Sequence, residues 1–448
     1  MTDLAIKGGI VVSSGRRWRA NVYVEDSRVV HVGPEDESAG NVVDADGLLV
    51  LPGMVDTHVH LMDPGDTTRE DFPTGTAAAA ARGVTTIIEH THSNPIREPA
   101  DLREKVAHLE GRSHVDFGLA AHTWPDRLGD LASLWAAGVS FFKIFTCTTH
   151  GVPGLTAAQL DEALEGIGGF GGACLIHCED ETITAEAEAV LRREGRADNG
   201  LLIEWRNRTA EEVAVAMTGV LAARHGTRAT IAHVSTPQVA GIVEWARGMG
   251  ADLAAEACPQ YFALREDEVL VEGPLRKFTP PARARTDGEV ADMWSLLRDG
   301  LLTHVATDHA PSTRAQKDAG IWEAPFGLPG LDTTLPFLLD AAHRDLIGLE
   351  DVVRWYAESP ARRYGLFPRK GQVAPGADAD IVLMDEAAAW TVSDDDIISK
   401  AGWSPYVGRQ LVGGVVATYL GGELIAEGAR PETAPGGRFL PGPGTVGG

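Results

Sequence analysis

Apolar residues alternate with polar ones, or cluster in short β-branched runs, near 5–12, 20–25, 28–32 and 47–51, with Gly, Asp and Ser between the runs. A period of two bounded by turn residues predicts short strands. The same texture returns only after Gly371, in ADADIVLMD and VGGVVATYLGGELIAEG, where Gly421-Gly422 between apolar runs predicts a hairpin turn. Between these ends lie eight apolar runs, at 55–59, 84–88, 115–119, 139–145, 173–177, 229–233, 252–257 and 302–307, with helical patterns between most of them. Strands alternating with helices predict βα units around a parallel sheet, and eight units close a barrel. Thr156/Gln159, Thr209/Glu212 and Thr286/Glu289 have the spacing of capping boxes and predict helix starts. The expected fold is α/β. A (β/α)8 barrel would occupy 53–365 and a β-sandwich would form from 1–52 and 366–428. A Pro/Gly-rich tail at 429–448 would be poorly packed or laid on a neighbouring molecule. The Pro- and Gly-containing stretches 261–285 and 310–331 follow the seventh and eighth runs and should rim the barrel mouth as binding loops.

Composition narrows the function classes. A length of 448 residues suits a barrel of about 250 residues or more with an accessory domain. A formal charge of −25 argues against broad binding to nucleic acid or anionic membrane. The N-terminus lacks the pattern of an export signal, and no run of about 18 apolar residues is present. The four cysteines, Cys147, Cys174, Cys178 and Cys258, form no disulfide or zinc-binding pattern, so a reducing cytoplasm is expected. Cys258 reads as a small buried hydrophobe, and Gly168–Gly172 lacks the Lys and Ser/Thr of a phosphate loop.

The chemistry lies at the ends of the predicted strands. His58 and His60, two residues apart on the first, point to the same side and can share a metal or be ordinary half-buried histidines. His177 and His233 close the fifth and sixth runs, and Asp308 follows the eighth. The C-terminal rim of a barrel is where active sites of this fold sit. Lys143 lies inside the apolar run GVSFFK, where an unpaired ammonium would be costly. Its amine either reaches a partner or has reacted with CO2 to give a carbamate, an anion able to bridge two metals about 3.5–4 Å apart.

The segments HVH, SFFKIF, IHCED, IAHVST, EACPQYF, KFTPPAR and ATDHAP, in this order, resemble the cyclic amidohydrolase branch of the amidohydrolase superfamily. That branch includes hydantoinase, dihydropyrimidinase, allantoinase and dihydroorotase. GLPGLDTTLP at 327–336 and SPARRYGLFPRKGQVAPGADADIVLMD at 359–385 extend the likeness over nearly the whole chain. The resemblance implies a dinuclear metal-dependent hydrolase opening the C–N bond of a cyclic amide or imide. His58, His60, carboxylated Lys143 and Asp308 would hold one divalent ion, and Lys143, His177 and His233 the other, with zinc suited to such a ligand set. It implies that the two ions activate a shared water and that Asp308 carries its proton to the departing ring nitrogen. It further implies a homodimer or homotetramer.

Met62, His90, His92, Thr148, His150 and Gln260 are the expected substrate contacts. Hydantoinases of this branch usually place an oxyanion-binding tyrosine where this chain has Thr148. Dihydroorotases place an arginine, an asparagine and a histidine for the substrate carboxylate where this chain has Met62, His92 and Ser312. A neutral ring is therefore expected in preference to dihydroorotate. The alternatives are a dihydroorotase, a mononuclear deaminase of the same superfamily and a non-catalytic scaffold relative of dihydropyrimidinase.

Overall fold

The protein, described from a computed structural model covering residues 2–428 and 430–445, is a (β/α)8 barrel carrying a β-sandwich. All eight apolar runs of the central region contain barrel strands. These are β1 (Met54–Val59), β2 (Val84–Glu89), β3 (Asp116–Leu119, resuming at Ala121–His122), β4 (Phe142–Phe145), β5 (Ala173–His177), β6 (Arg228–Ile231), β7 (Leu253–Ala257) and β8 (His304–Val305). Neighbouring strands pair in parallel from β1 round to β8. The ring closes where Val59 bridges His309 and the His60 N–H donates to the His309 carbonyl at 2.8 Å.

Several boundaries differ from the sequence pattern. The fourth and eighth strands are shorter than their apolar runs, because backbone pairing starts only at Phe142 and His304. β3 is interrupted at Ala120, whose N–H turns back to the Glu89 carbonyl while Ala121 moves on to β4. Of the three expected capping boxes, Thr156/Gln159 is complete. Thr286 accepts from the Glu289 N–H, but the Glu289 carboxylate binds Arg208 and Arg285 instead of reciprocating. Helix Arg208–His225 starts earlier than Thr209, because Asn207 supplies the capping oxygen to Ala210 N–H.

The sandwich joins both chain ends. One sheet has the order Arg28–Gly33, Asn21–Glu25, Thr2–Lys7, Ala39–Asp44, and the other threads Leu49–Pro52 between Ile10–Ser13 and Ile381–Thr391. Leu4, Ile6, Val22, Val50, Ile381, Leu383 and Ala417 meet in its core. Gly421 and Gly422 have φ of 57° and 84° between the paired residues Leu420 and Glu423, the twin left-handed geometry that a two-residue hairpin requires.

The tail departs from expectation. Ala429 and residues 446–448 lie outside the described residues, but 437–442 form a strap on this chain's own barrel. Gly437 N–H donates to Ser113, Leu440 N–H to Phe117 and Gly442 N–H to Gly138, all at backbone carbonyls. Glycine is required where the strap touches: a Cβ on Gly442 would lie 2.0 Å from the Val139 carbonyl oxygen. Pro and Gly here permit close backbone approach to the chain's own barrel, where composition had suggested a poorly packed tail or one laid on a neighbouring molecule.

Candidate active site

The C-terminal strand ends bring His58, His60, Lys143, His177, His233 and Asp308 around one narrow cavity, whose walls also include His92, His150, Phe145 and Phe326. β1 delivers His58 and His60 on one face, as the two-residue spacing requires. Its neighbour Asp56 ties β1 to β8, accepting from Thr307 N–H at 3.2 Å and from the Tyr356 hydroxyl at 2.8 Å. Burial pushes Asp56 up to about 6. Met62, His150, His233 and Asp308 are four of the seven non-glycine residues with positive φ among those described, at 58°, 54°, 37° and 50°. His150, His233 and Asp308 of these line the cavity, where the surrounding packing must hold the strain.

The hydrogen-bond partners fix which nitrogen of each histidine faces inward. His60 Nδ1 lies 3.0 Å from the His90 carbonyl, which can only accept, so Nδ1 carries the proton and Nε2 the lone pair. His58 Nδ1 lies 2.6 Å from the Glu256 carboxylate, leaving Nε2 free in the same way. His58 Nε2 is 3.2 Å from Asp308 Oδ1 and 3.2 Å from Lys143 Nζ, while His60 Nε2 is 3.5 Å from the same Asp308 oxygen. On the other side His177 directs Nε2 to Glu179 at 2.9 Å and turns Nδ1 towards His233 Nε2 at 3.0 Å. Two sets of lone pairs converge in a buried space, and His58, His60 and His177 are each backed by a carboxylate or carbonyl on the far nitrogen, whereas His233 Nδ1 is buried without a partner. A divalent cation satisfies such a set, and the outward partners are the kind that orient metal ligands.

Electrostatics agree with this assignment. Burial lowers His60, His177 and His233, keeping them as neutral imidazoles suited to coordination. Burial also lowers Lys143, to about 8, and raises Asp308. Glu256 and Glu179 move the other way: burial opposes their ionisation, but His58 and His304 for the first, and Arg206, His177 and Arg283 for the second, hold both well below the ordinary carboxylate range.

Proximity alone also groups Cys147 with His177 and Glu179, and Asp116 with Asp378 and Asp380. Neither group suits a metal. Burial pushes the Cys147 thiol up to about 12, and Glu179 is already bound by Thr279, Arg206 and Arg283 at 2.6, 3.2 and 2.8 Å. The three aspartates surround the Lys370 ammonium. His90 is buried 4.7 Å from His58 and 4.6 Å from His60 between ring centroids, and both its nitrogens lack partners.

The expected substrate contacts divide. His92 and His150 line the cavity and stack on each other at 4.2 Å, with Phe326 edge-on to His150. Met62 and His90 do not reach the cavity wall. Met62 is fully buried with Thr91 and Ser93 hydroxyls against its sulfur. Thr148 is exposed and caps the Gly154 N–H, and Gln260 sits buried in the turn Pro259–Phe262, also off the wall. Both long loops do reach the mouth, through Thr279 on the first and Ala310, Phe326 and Gly327 on the second.

Glu256, Glu179 and Arg69 were missed in the sequence. An acid inside the apolar strand LAAEA carries the same signal as Lys143 and marks Glu256. Arg69 is buried in the loop after β1 and donates to the Pro311 and Phe326 carbonyls at 2.9 and 3.1 Å. Together with Lys317, which donates to the Lys277 and Pro325 carbonyls at 2.8 Å each, it pins the loop that carries Phe326 and Gly327.

The model of the amidohydrolase family matches residues 49–425. An allantoinase from Rubrobacter xylanophilus is 35% identical over 98% of this chain and 97% of its own length. A dihydroorotase from Pelotomaculum thermopropionicum is 34% identical over 95% and 98%. Among solved structures, an L-hydantoinase from Arthrobacter aurescens superposes with a TM-score of 0.93 at 28% identity, covering 98% of this chain and 100% of that one.

Proposed function

This chain belongs to the amidohydrolase family, and from that premise we propose that it hydrolyses the ring C–N bond of a neutral cyclic amide or imide at a two-metal centre built on His58, His60, Lys143, His177, His233 and Asp308. That it is a hydrolase of cyclic amides accords with the allantoinase, dihydroorotase and hydantoinase relatives. The observation that supports the assignment of residues is that His58 Nε2 lies 3.2 Å from both Lys143 Nζ and Asp308 Oδ1, with His60 Nε2 3.5 Å from the same Asp308 oxygen and His177 Nδ1 facing His233 Nε2 at 3.0 Å.

Bound divalent ions would supply Lewis acidity, bringing a water towards ionisation near neutral pH and polarising the amide carbonyl. The remaining work falls to the chain. Asp308, raised by burial, is placed to accept a proton beside His58 and His60 and to return it to the departing ring nitrogen. Glu256, Glu179 and the His90 carbonyl hold the imidazoles in orientation. Phe145 and Phe326 narrow the cavity and limit water, while His92 and His150 form a neutral wall able to donate or accept hydrogen bonds. Lys143 as a carbamate would bridge the two ligand sets, and its lowered amine provides the neutral form that adds to CO2. Zinc fits the mixed nitrogen and oxygen donors. A homo-oligomer, most naturally a tetramer, working in a reducing cytoplasm completes the proposal, consistent with four buried unpaired cysteines.

A second reading, dihydroorotate hydrolysis, is favoured by the dihydroorotase relative and by the buried cation Arg69 near the mouth. One experiment separates the two. Purified protein should contain close to two divalent ions per chain and open hydantoin, dihydrouracil, allantoin or succinimide with a higher kcat/KM than dihydroorotate. One ion or none would remove the dinuclear centre, and a preference for dihydroorotate over every neutral ring would select the second reading.

A further inference from the structure

At the opposite, N-terminal face of the barrel a cavity of about 650 Å³ opens among the starts of β6, β7 and β8 and the segment 354–363. Its size falls in the range of small-molecule sites, roughly 300–1,000 Å³. Arg228, Arg298, Arg354, Arg362 and Arg363 line it, and the one acidic residue of the lining is Asp299, which is exposed. A concave cationic surface runs against the −25 charge of the chain as a whole.

Three of these guanidinium groups are neutralised locally: Arg363 pairs with Asp252 at 2.6 Å, Arg362 with Glu358 at 2.7 Å and Arg354 with Asp351 at 2.8 Å. The other two are not. Arg298 donates only to the Leu346 carbonyl and the Ser295 hydroxyl, and the Arg228 side chain has no ion pair or hydrogen bond among the described residues. Two guanidiniums without carboxylates, beside Leu253, Leu302 and Trp355, suit an organic anion with an apolar body. The wall of this cavity also contains His304. Its Nε2 is buried without a hydrogen-bond partner, 3.7 Å from one oxygen of Glu256, whose other oxygen is 2.6 Å from His58 Nδ1.

We propose that this cavity is a second ligand site, for a small organic anion bearing a phosphate or carboxylate groups, and that its occupancy is transmitted to the active centre through His304, Glu256 and His58. The binding is independent of the catalytic reading above, and only the transmission rests on it.

Calorimetric titration of the metal-loaded full chain with phenyl phosphate, and separately with succinate, tests the site and distinguishes the two sources of anionic oxygen. At least one probe should bind saturably at one per chain. The double variant Arg228→Gln/Arg298→Gln should weaken that binding about tenfold or more, with ring-opening kcat/KM in the absence of the anion unchanged. Arg362→Gln, whose partner is Glu358, should bind within about twofold of the parent, showing that the loss is specific to the two unpaired arginines. A His58→Ala chain should still bind, which places the anion away from the catalytic centre. Saturating anion should shift kcat in the parent, and His304→Asn should keep the binding and lose the shift. Failure of both probes to saturate, equal binding by the double variant, or loss of binding in His58→Ala would overturn the site. A kcat shift undiminished in His304→Asn would overturn the transmission. Absence of any ring-opening activity would count against the catalytic reading and leave the binding result standing.

Discussion

His58, His60 and His177 each have the ring nitrogen that faces away from the cavity held by a second group. Glu256 illustrates this, since its carboxylate, fully buried, binds His58 Nδ1 and accepts the His233 N–H at 3.2 Å, touching a residue from each ligand set. Glu256→Gln keeps the size but weakens the acceptor, so metal affinity should fall by roughly 10–100-fold. Metal content after dialysis against graded chelator measures this, and an unchanged titration would show that Glu256 does not orient His58. Lys143 gives a pH-dependent expectation. Burial lowers its amine to about 8, so the neutral form that adds to CO2 predominates above that pH. At fixed dissolved CO2, the rate at which metal-free protein regains activity on addition of a divalent metal should fall about tenfold per pH unit below 8 and level off above it. Lys143→Ala should lose metal and activity at every pH and recover part of both with a short carboxylic acid. A flat pH profile, or an active unrescued variant, would remove the carbamate.

Among the elements, the two long loops after β7 and β8 act as one unit. Gly327 N–H donates to the Lys277 carbonyl at 3.1 Å, and Ala310 N–H to the Leu328 carbonyl at 3.0 Å. Gly327 has φ of 117°, and a Cβ there would lie 2.1 Å from the Ala310 carbonyl oxygen. Gly327→Ala should therefore cost about 1–3 kcal/mol of stability. Because Ala310 and Gly327 both line the cavity, the same change should raise KM more than it lowers kcat. Denaturant unfolding and steady-state kinetics check the two effects, and an unaltered KM would mean that the loop junction does not shape the pocket.

For the whole molecule, the barrel, the sandwich and the strap meet at one buried ion cluster. Lys370, 1% exposed, contacts Asp116 at the start of β3 at 2.7 Å, and Asp380 and Asp378 ahead of the sandwich strand Ile381–Thr391 at 2.7 and 3.0 Å. The other Asp116 oxygen accepts from Arg438 N–H in the strap at 2.9 Å. Burial opposes the charge on Lys370, but the three aspartates hold it well above the ordinary lysine range. A raised lysine stabilises the fold fully below its unfolded pKa and ceases to do so only as pH climbs through the folded value, so this contribution is intact at neutral pH. Lys370→Met would leave the buried carboxylates of Asp116 and Asp380 without a cation, while Asp378 keeps Arg369 and Arg28, and should cost about 3–5 kcal/mol. The loss should shrink on acidification, as the stranded aspartates protonate. A neutral effect on the unfolding midpoint would show that the cluster does not join the two layers.

The repeating eight strands, the hairpin at Gly421-Gly422 and the six residues proposed as metal ligands were legible in the chain because period and strand-end position are local properties that survive without coordinates. Lys143 stood out for the same reason, as a charge inside an apolar run. The partners of those residues were not legible. Glu256 reaches His58 across 198 positions, Arg69 reaches Phe326 across 257 and Lys370 reaches Asp116 across 254, and such pairings depend on barrel closure. That Met62 and Thr148 stand off the cavity wall was not legible either, for a three-dimensional reason: the left-handed turn at Met62 accompanies a side chain buried against Thr91 and Ser93, and the loop after β4 leaves Thr148 in solvent. The chain by itself thus determined that His58, His60, Lys143, His177, His233 and Asp308 stand together at the barrel mouth. Tertiary structure decided which nitrogen His58, His60 and His177 turn inward, because that depends on the acceptor waiting behind each ring.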